Sequence, residues 1–169
     1  MYGDEASFEQ SGTNCRHWAE KGVGHEVKSF PTRKKAKVIG AVVLGSKPKW
    51  HFSSVDRFNG KTFWRFLKRR VRHYKGRKIH LIVDNARYHR TQEIHRWLKV
   101  NTNKIEVHFL PPYSPEFNPV ELVWKETKKR TTHNRYFPSL TLLKEKLFRR
   151  LNRFQGNPAS LRNLLASFA

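Results

Sequence analysis

Two carboxylates, Asp84 and Glu121, stand where acidic side chains could do metal-dependent chemistry. Asp84 follows Ile79, Leu81, Ile82 and Val83, a β-branched-rich run that reads as a buried strand halting at the polar pair Asp84-Asn85. In open α/β sheets ligands bind beyond the carboxyl ends of strands, so a carboxylate placed there is a site candidate. Glu121 follows Pro111-Pro112, Ser114-Pro115 and Asn118-Pro119. These prolines enforce an extended, turning connection, and Asn118-Pro119 reads as a helix cap with proline at the first helical position, which puts Glu121 in the first turn. Several carboxylates converging on one point hold Mg²⁺, which keeps part of its water and completes its shell on a substrate phosphate. Two such ions roughly 3.5–4 Å apart supply a nucleophile, a stabilised leaving oxygen and charge neutralisation for phosphodiester cleavage.

Each residue also has a purely structural reading. Asn118 and Glu121 have the spacing of a capping box, and the helix dipole favours a first-turn carboxylate. An Asp-Asn pair closes strands by bonding to its own backbone. On spacing alone these readings account for both residues.

The surrounding pattern supplies elements to position them. Gly60 to Tyr74 reads as a helix, with Phe63, Leu67, Val71 and Tyr74 at helical steps and Gly76 beyond its end. Arg90 to Val100 carries Ile94, Trp97 and Leu98 behind Thr91 as cap, and Ile105 to Leu110 alternates as a strand. Between Cys15 and Leu44 the chain offers Trp18, Val23, Val27 and the run from Lys37 to Leu44, which suits antiparallel strands, and Pro48 to Phe52 adds a short one. After Trp124 a helix continues through Lys125, Lys128, Lys129 and Arg130, a cationic run suited to a phosphate backbone. Leu140, Leu143, Leu147, Leu151 and Phe154 mark a further helix expected to cover the sheet, Gly156-Asn157-Pro158 ends it, and Leu161, Leu164, Leu165 and Phe168 mark a last one.

The 169 residues suffice for one domain with a real core. Lys and Arg number 35 against 13 Asp and Glu, and the resulting charge of +22 exceeds what solubility requires and suits a polyanionic partner. Cys15 is the single cysteine, which excludes an internal disulfide and a thiolate zinc cluster and favours a reducing interior. The nine His form no recognisable zinc pattern. The start of the chain lacks a signal-peptide layout, and the longest apolar run, Val38 to Leu44, is too short for a membrane span.

The wording Val83-Asp84-Asn85, then His89, then Leu110-Pro111-Pro112-Tyr113-Ser114-Pro115 and Asn118-Pro119-Val120-Glu121 with Trp124, resembles the DDE catalytic domain of mariner-superfamily transposases, in the bacterial insertion-sequence branch. The separation of 37 residues between Asp84 and Glu121 is similar to that family's. Its first carboxylate lies in an Asp-Glu pair followed by a Trp and a Gly, which Asp4-Glu5, Trp18 and Gly22 match. Successive strand residues point to opposite faces, so only one of Asp4 and Glu5 can join the site, and the family puts Asp4 there.

The resemblance implies an α/β, ribonuclease-H-like fold: a mixed central sheet of about five strands between helices, with C-terminal amphipathic helices over about 139–169. It implies that Asp4, Asp84 and Glu121 are both the catalytic residues and the ligands of two Mg²⁺ or Mn²⁺ ions, Asp84 bridging them. Asn85, His89 and Asn118 have supporting roles, His89 as a capping or packing histidine, and Tyr113 and Trp124 are read as core. Lys125, Lys128, Lys129 and Arg130 are the candidate DNA contacts. The implied reaction is hydrolysis at transposon ends followed by attack of the freed 3′-hydroxyl on target DNA, typically at TA, with double-stranded DNA and a second copy of the chain as partners. The implied location is cytoplasmic, at the bacterial nucleoid. Residues 1–169 then form a single catalytic domain without the family's upstream helix-turn-helix segments. Met1, Tyr2 and Gly3 leave little of the apolar entry that a central strand ahead of Asp4 requires, so the chain reads as a fragment that an upstream polypeptide would complete. The readings in competition are a non-catalytic DNA-binding remnant and another ribonuclease-H-like nuclease.

Overall fold

The structure is a computed structural model that describes residues 1–168 except 17, 19, 23–25 and 27–31. Five strands form one sheet in the order β3-β2-β1-β4-β5. They are β1 (Tyr2–Glu9), β2 (Lys35–Val43), β3 (Lys49–Val55), β4 (Ile79–Val83) and β5 (Ile105–Phe109). The first three pair antiparallel, whereas β4 pairs parallel with both β1 and β5. This is the mixed sheet expected of the ribonuclease-H-like fold. Val23 and Val27, read as strand positions, lie outside the described residues.

Helices α1 (Gly60–His73) and α2 (Gln92–Lys99) cover one face, and α3 (Val120–Thr131), α4 (Leu140–Gly156) and α5 (Pro158–Leu164) are packed on the other. Phe63, Leu67, Leu81, Val83, Ile94 and Ile105 form the core under α1 and α2. A larger core joins Ala6, Phe8, Val38 and Trp50 to Val123, Trp124, Leu143, Leu147 and Leu151. Each Val, Leu, Ile or Phe among them, fully buried, contributes about 1.5–3 kcal/mol of transfer free energy. The α3–α5 layer contacts β1, β2 and β3, and among the described residues it leaves the corresponding face of β4 and β5 open.

The first strand has the short entry that was expected, with Tyr2 and Gly3 ahead of Asp4. It runs eight residues, because it extends past Asp4 through Ala6 and Phe8, which are buried under α3 and α4, and pairs with β2 along its whole length. Its start is held on the other side too, since Ile82 N donates to Met1 O at 2.8 Å and the Met1 amino group donates to His80 O at 2.9 Å. Hydrogen bonding to both neighbours thus holds the start of this strand.

Two helix starts also differ. Thr91 precedes α2 as read, but its buried hydroxyl accepts nothing from the helix. The Asn118–Glu121 capping box does not form: Asn118 Oδ1 accepts from Val120 N at 3.2 Å, in an Asx-type turn, and its Nδ2 donates to Gly3 O at 3.1 Å. The Glu121 side chain is therefore free of capping duty. By contrast, Asn59 and Thr62 form a reciprocal capping box on α1 that the apolar pattern did not reveal.

Candidate active site

The parallel register pairs Tyr2 with Ile82, so Asp4, two residues further, comes level with Asp84 just past the end of β4. Glu121 arrives from above, because Asn118, buried to 4 % exposure, ties the start of α3 to the β1 backbone at Gly3. All three carboxylates line one cavity of about 420 Å³, walled by Asn85, the 110–115 Pro-rich turn and Asn118. A larger hollow, of about 710 Å³, lies beside α4 among Arg135, Lys146 and Arg149, away from these carboxylates.

Electrostatics distinguish Asp4 from Asp84. Burial, with the Glu121 carboxylate next in importance, pushes the Asp4 carboxyl up from 3.8 to about 7. Trp124 Nε1 donates to Asp4 Oδ2 at 2.9 Å and fixes its rotamer. The indole reaches there because β2 carries Gly40 opposite Asp4: a Cβ at that position would lie 2.7 Å from the Trp124 ring and 2.2 Å from that of Trp50. Trp124 is thus the core residue the sequence suggested and also a positioning residue it did not.

Asp84 does what its strand-end reading requires, with Oδ1 accepting from Ala86 N at 3.0 Å. The same oxygen lies 3.1 Å from His89 Nδ1. His89 is buried, and its Nε2 lies 3.1 Å from Glu5 Oε1. Burial alone would favour the neutral ring, but the bonds to Asp84 and Glu5 outweigh it and raise the imidazole from 6.5 to about 9. His89 is accordingly an imidazolium bridging two carboxylates, more than a capping or packing group, and its bond holds the Asp84 carboxyl below its ordinary value. Glu5, on the face opposite Asp4, therefore acts on the site from behind. No sequence signal joined it to His89, 84 residues away.

Glu5, Asp84 and His89 have ligand atoms close enough to hold a metal ion. With the ring protonated and both nitrogens donating, however, that trio is a salt bridge. The oxygen donors that line the cavity are the carboxylates of Asp4, Asp84 and Glu121, a hard set suited to Mg²⁺ or Mn²⁺.

Asn85 supports the site by donating from Nδ2 to Leu110 O, which fastens the Pro-rich turn to the end of β4, while its Oδ1 accepts from Arg90. Tyr113 is not core: it is fully exposed on the lip of the cavity, with a positive φ of 56°. Two prolines before it and Ser114-Pro115 after it hold the turn outward, so no buried surface is available there. Of the four cations singled out, Lys125 and Lys128 flank a groove that continues from Glu121. Arg130 points instead to Glu126, at 2.9 Å, where Arg150 also binds, and Lys129 is exposed outside the groove.

A family profile described as DDE superfamily endonuclease matches residues 1–144. The chain belongs to the DDE endonuclease superfamily. Among relatives, a 39 kDa protein of insertion element IS630 from Shigella sonnei is 38% identical over 86 residues, which are 50% of this chain and 25% of that one. Protein y4pE/y4sA of Sinorhizobium fredii is 47% identical over 57 residues, 34% of this chain and 38% of that one. The aligned regions span about a quarter and under two fifths of these relatives. The Mos1 transposase paired-end complex with the left transposon end matches with a TM-score of 0.59 at 16% identity, over 98% of this chain and 54% of that one. The catalytic domain of Mos1 mariner transposase matches with a TM-score of 0.50 at 15% identity, over 98% and 80%. These likenesses bear out the fold and the insertion-sequence resemblance read from the motifs. No helix among the described residues is long and apolar enough to cross a membrane.

Proposed function

We propose that residues 1–169 act as a single catalytic domain that cleaves double-stranded DNA and joins its 3′ ends to target DNA, with Asp4, Asp84 and Glu121 as catalytic residues and metal ligands. The observation that carries this reading is the donor set: three carboxylates on one cavity, one of them raised to about 7 by crowding and burial, as befits a site that gains from a divalent cation. Bound there, two Mg²⁺ or Mn²⁺ ions would lower the pKa of an attacking water or hydroxyl and neutralise charge on the scissile phosphate. Mos1 complexes have been solved with Mn and with Mg, and other Mos1 assemblies with a transposon end, which supports the same chemistry and partner here.

The chain's own residues have distinct tasks in this reading. Trp124 holds the Asp4 rotamer, and the Glu5–His89 pair fixes Asp84 at the wall of the cavity. Asn118 sets the height of Glu121 over the strand ends. Lys125 and Lys128 receive DNA phosphates along the groove leading away from Glu121. Recognition of particular transposon ends is assigned to an upstream polypeptide segment, pairing of ends to a second copy of the chain, and the place of action to the nucleoid in the cytoplasm.

The test is nicking of supercoiled plasmid in Mg²⁺ or Mn²⁺ by this chain, by Asp84→Ala and by a version extended upstream. Nicking by the wild type that Asp84→Ala abolishes, with DNA affinity undiminished, is the expected result. Equal nicking by Asp84→Ala removes that residue from the site, and nicking by the extended version alone assigns this chain to a non-catalytic DNA-binding role.

A further inference from the structure

A second group of metal-ligating side chains lies on the open face of β4 and β5. Ile79, Leu81, Val83 and Ile105 turn toward α1 and α2, so by strand alternation His80, Glu106 and His108 turn to the other side, which α3–α5 leave uncovered. Glu106 and His108 are two apart on β5, and the parallel register sets His80 directly beside Glu106. His80 Nδ1 lies 3.1 Å from His108 Nε2 and 3.8 Å from Glu106 Oε2, and the three ligand atoms all lie within 4.8 Å of one another.

We infer that His80, Glu106 and His108 form a binding site for a transition-metal ion of the Zn²⁺ class, separate from the carboxylate cavity. The distances suit one ion. Zn–N and Zn–O bonds are about 2.0–2.2 Å long, and nitrogens 3.1 Å apart both reach an ion at that range with an angle of about 100°. The 3.8 Å separation to Glu106 fits a wider angle in the same shell, which water completes. Two imidazoles and one carboxylate select Zn²⁺, Co²⁺, Ni²⁺ or Cu²⁺, whereas Mg²⁺ prefers an all-oxygen shell. Solvent reaches the site directly, since the His80 and Glu106 side chains are 58% and 49% exposed. Lys78 Nζ, 2.9 Å from Glu106 Oε2, competes with the ion for the carboxylate.

The sequence could not show this site. The nine His present no zinc spacing because the ligands come from two strands 26 to 28 residues apart, and only their pairing brings them together. An ion there fastens β4 to β5, the strands that end in Asp84 and lead into the Pro-rich turn of the catalytic cavity. The inference does not depend on the proposed cleavage activity.

The test is calorimetric titration of ZnCl₂ into the tag-free full chain in saturating Mg²⁺, with visible absorption of the Co²⁺ form as a second readout. One Zn²⁺ per chain is expected, with affinity lowered at least about tenfold in His80→Ala and in His108→Ala and unchanged in Asp84→Asn, in keeping with the sensitivity of metal sites to their shells. Lys78→Ala, which frees Glu106, should tighten binding severalfold. Metal-free melting curves of the two His variants should match the wild type, because neither side chain belongs to the buried core. Unchanged Zn²⁺ affinity in both His variants, or loss of binding in Asp84→Asn, overturns the assignment and leaves His80 and His108 as a hydrogen-bonded, stacked pair.

Discussion

Replacing Asp4 by Asn removes a negative charge that the folded state opposes. The Asp4 carboxyl is raised from 3.8 to about 7, chiefly by burial and then by Glu121. For an acid raised in this way the folded state disfavours ionisation, so the penalty is absent well below pH 3.8, grows as pH rises above it and levels off above pH 7. At about 1.4 kcal/mol per pH unit in that window, the wild type should lose about 2–3 kcal/mol more between pH 5 and pH 8 than Asp4→Asn does. For a chain of this size that is roughly 5–10 °C in melting temperature. Asn retains an oxygen for the Trp124 indole, so the core contact survives. The assay is thermal unfolding of both proteins without divalent metal at pH 5 and pH 8, taken as a difference so that groups common to both cancel. Asp4→Asn should gain on the wild type as pH rises, and Mg²⁺ should stabilise the wild type and much less the variant. A difference independent of pH, or a variant that loses ground at pH 8, refutes the claim that Asp4 is crowded against Glu121 in a buried site.

Three other outcomes are expected. His89 is raised from 6.5 to about 9, so its ion pairs contribute fully below pH 6.5 and are lost as pH rises through 9; the stability gap between wild type and His89→Ala should narrow by about 3 kcal/mol from pH 6 to pH 10 in chemical denaturation. Gly40→Ala places a methyl 2.2 Å from the Trp50 ring and 2.7 Å from that of Trp124; it should cost about 1–3 kcal/mol by overpacking and lower nicking by displacing the indole from Asp4. DNA binding should weaken steeply with salt, and Lys125→Ala with Lys128→Ala should flatten the log–log slope by about two, while Lys129→Ala leaves it unchanged; an unaltered slope in the double variant removes the groove from the DNA path.

Much of the candidate site's framework was legible because its signals are local. The Ile79–Val83 run stopping at Asp84 is a strand, and the prolines before Glu121 do put it in the first turn of a helix. The helical stripe from Leu140 to Phe154 became α4, buried through Leu143, Leu147, Leu151 and Phe154. Where local rules competed, sequence could not arbitrate. Asn118 has the spacing of a capping box, but the nearby Gly3 carbonyl takes its amide and leaves Glu121 to the cavity. The short entry of β1 ahead of Asp4 could be counted in the sequence, whereas the backbone bonds from Met1 to β4 could not.

The sequence by itself determined the family motifs, the strand and helix that carry Asp84 and Glu121, and the excess of positive charge, since composition and periodicity are properties of neighbouring residues. Only the tertiary structure decided that Glu5 reaches Asp84 through His89, that Trp124 holds Asp4 through space left by Gly40, and that His80 meets Glu106 and His108. Each of these contacts joins residues on different elements, and strand register and helix packing, which set such distances, follow from the fold as a whole.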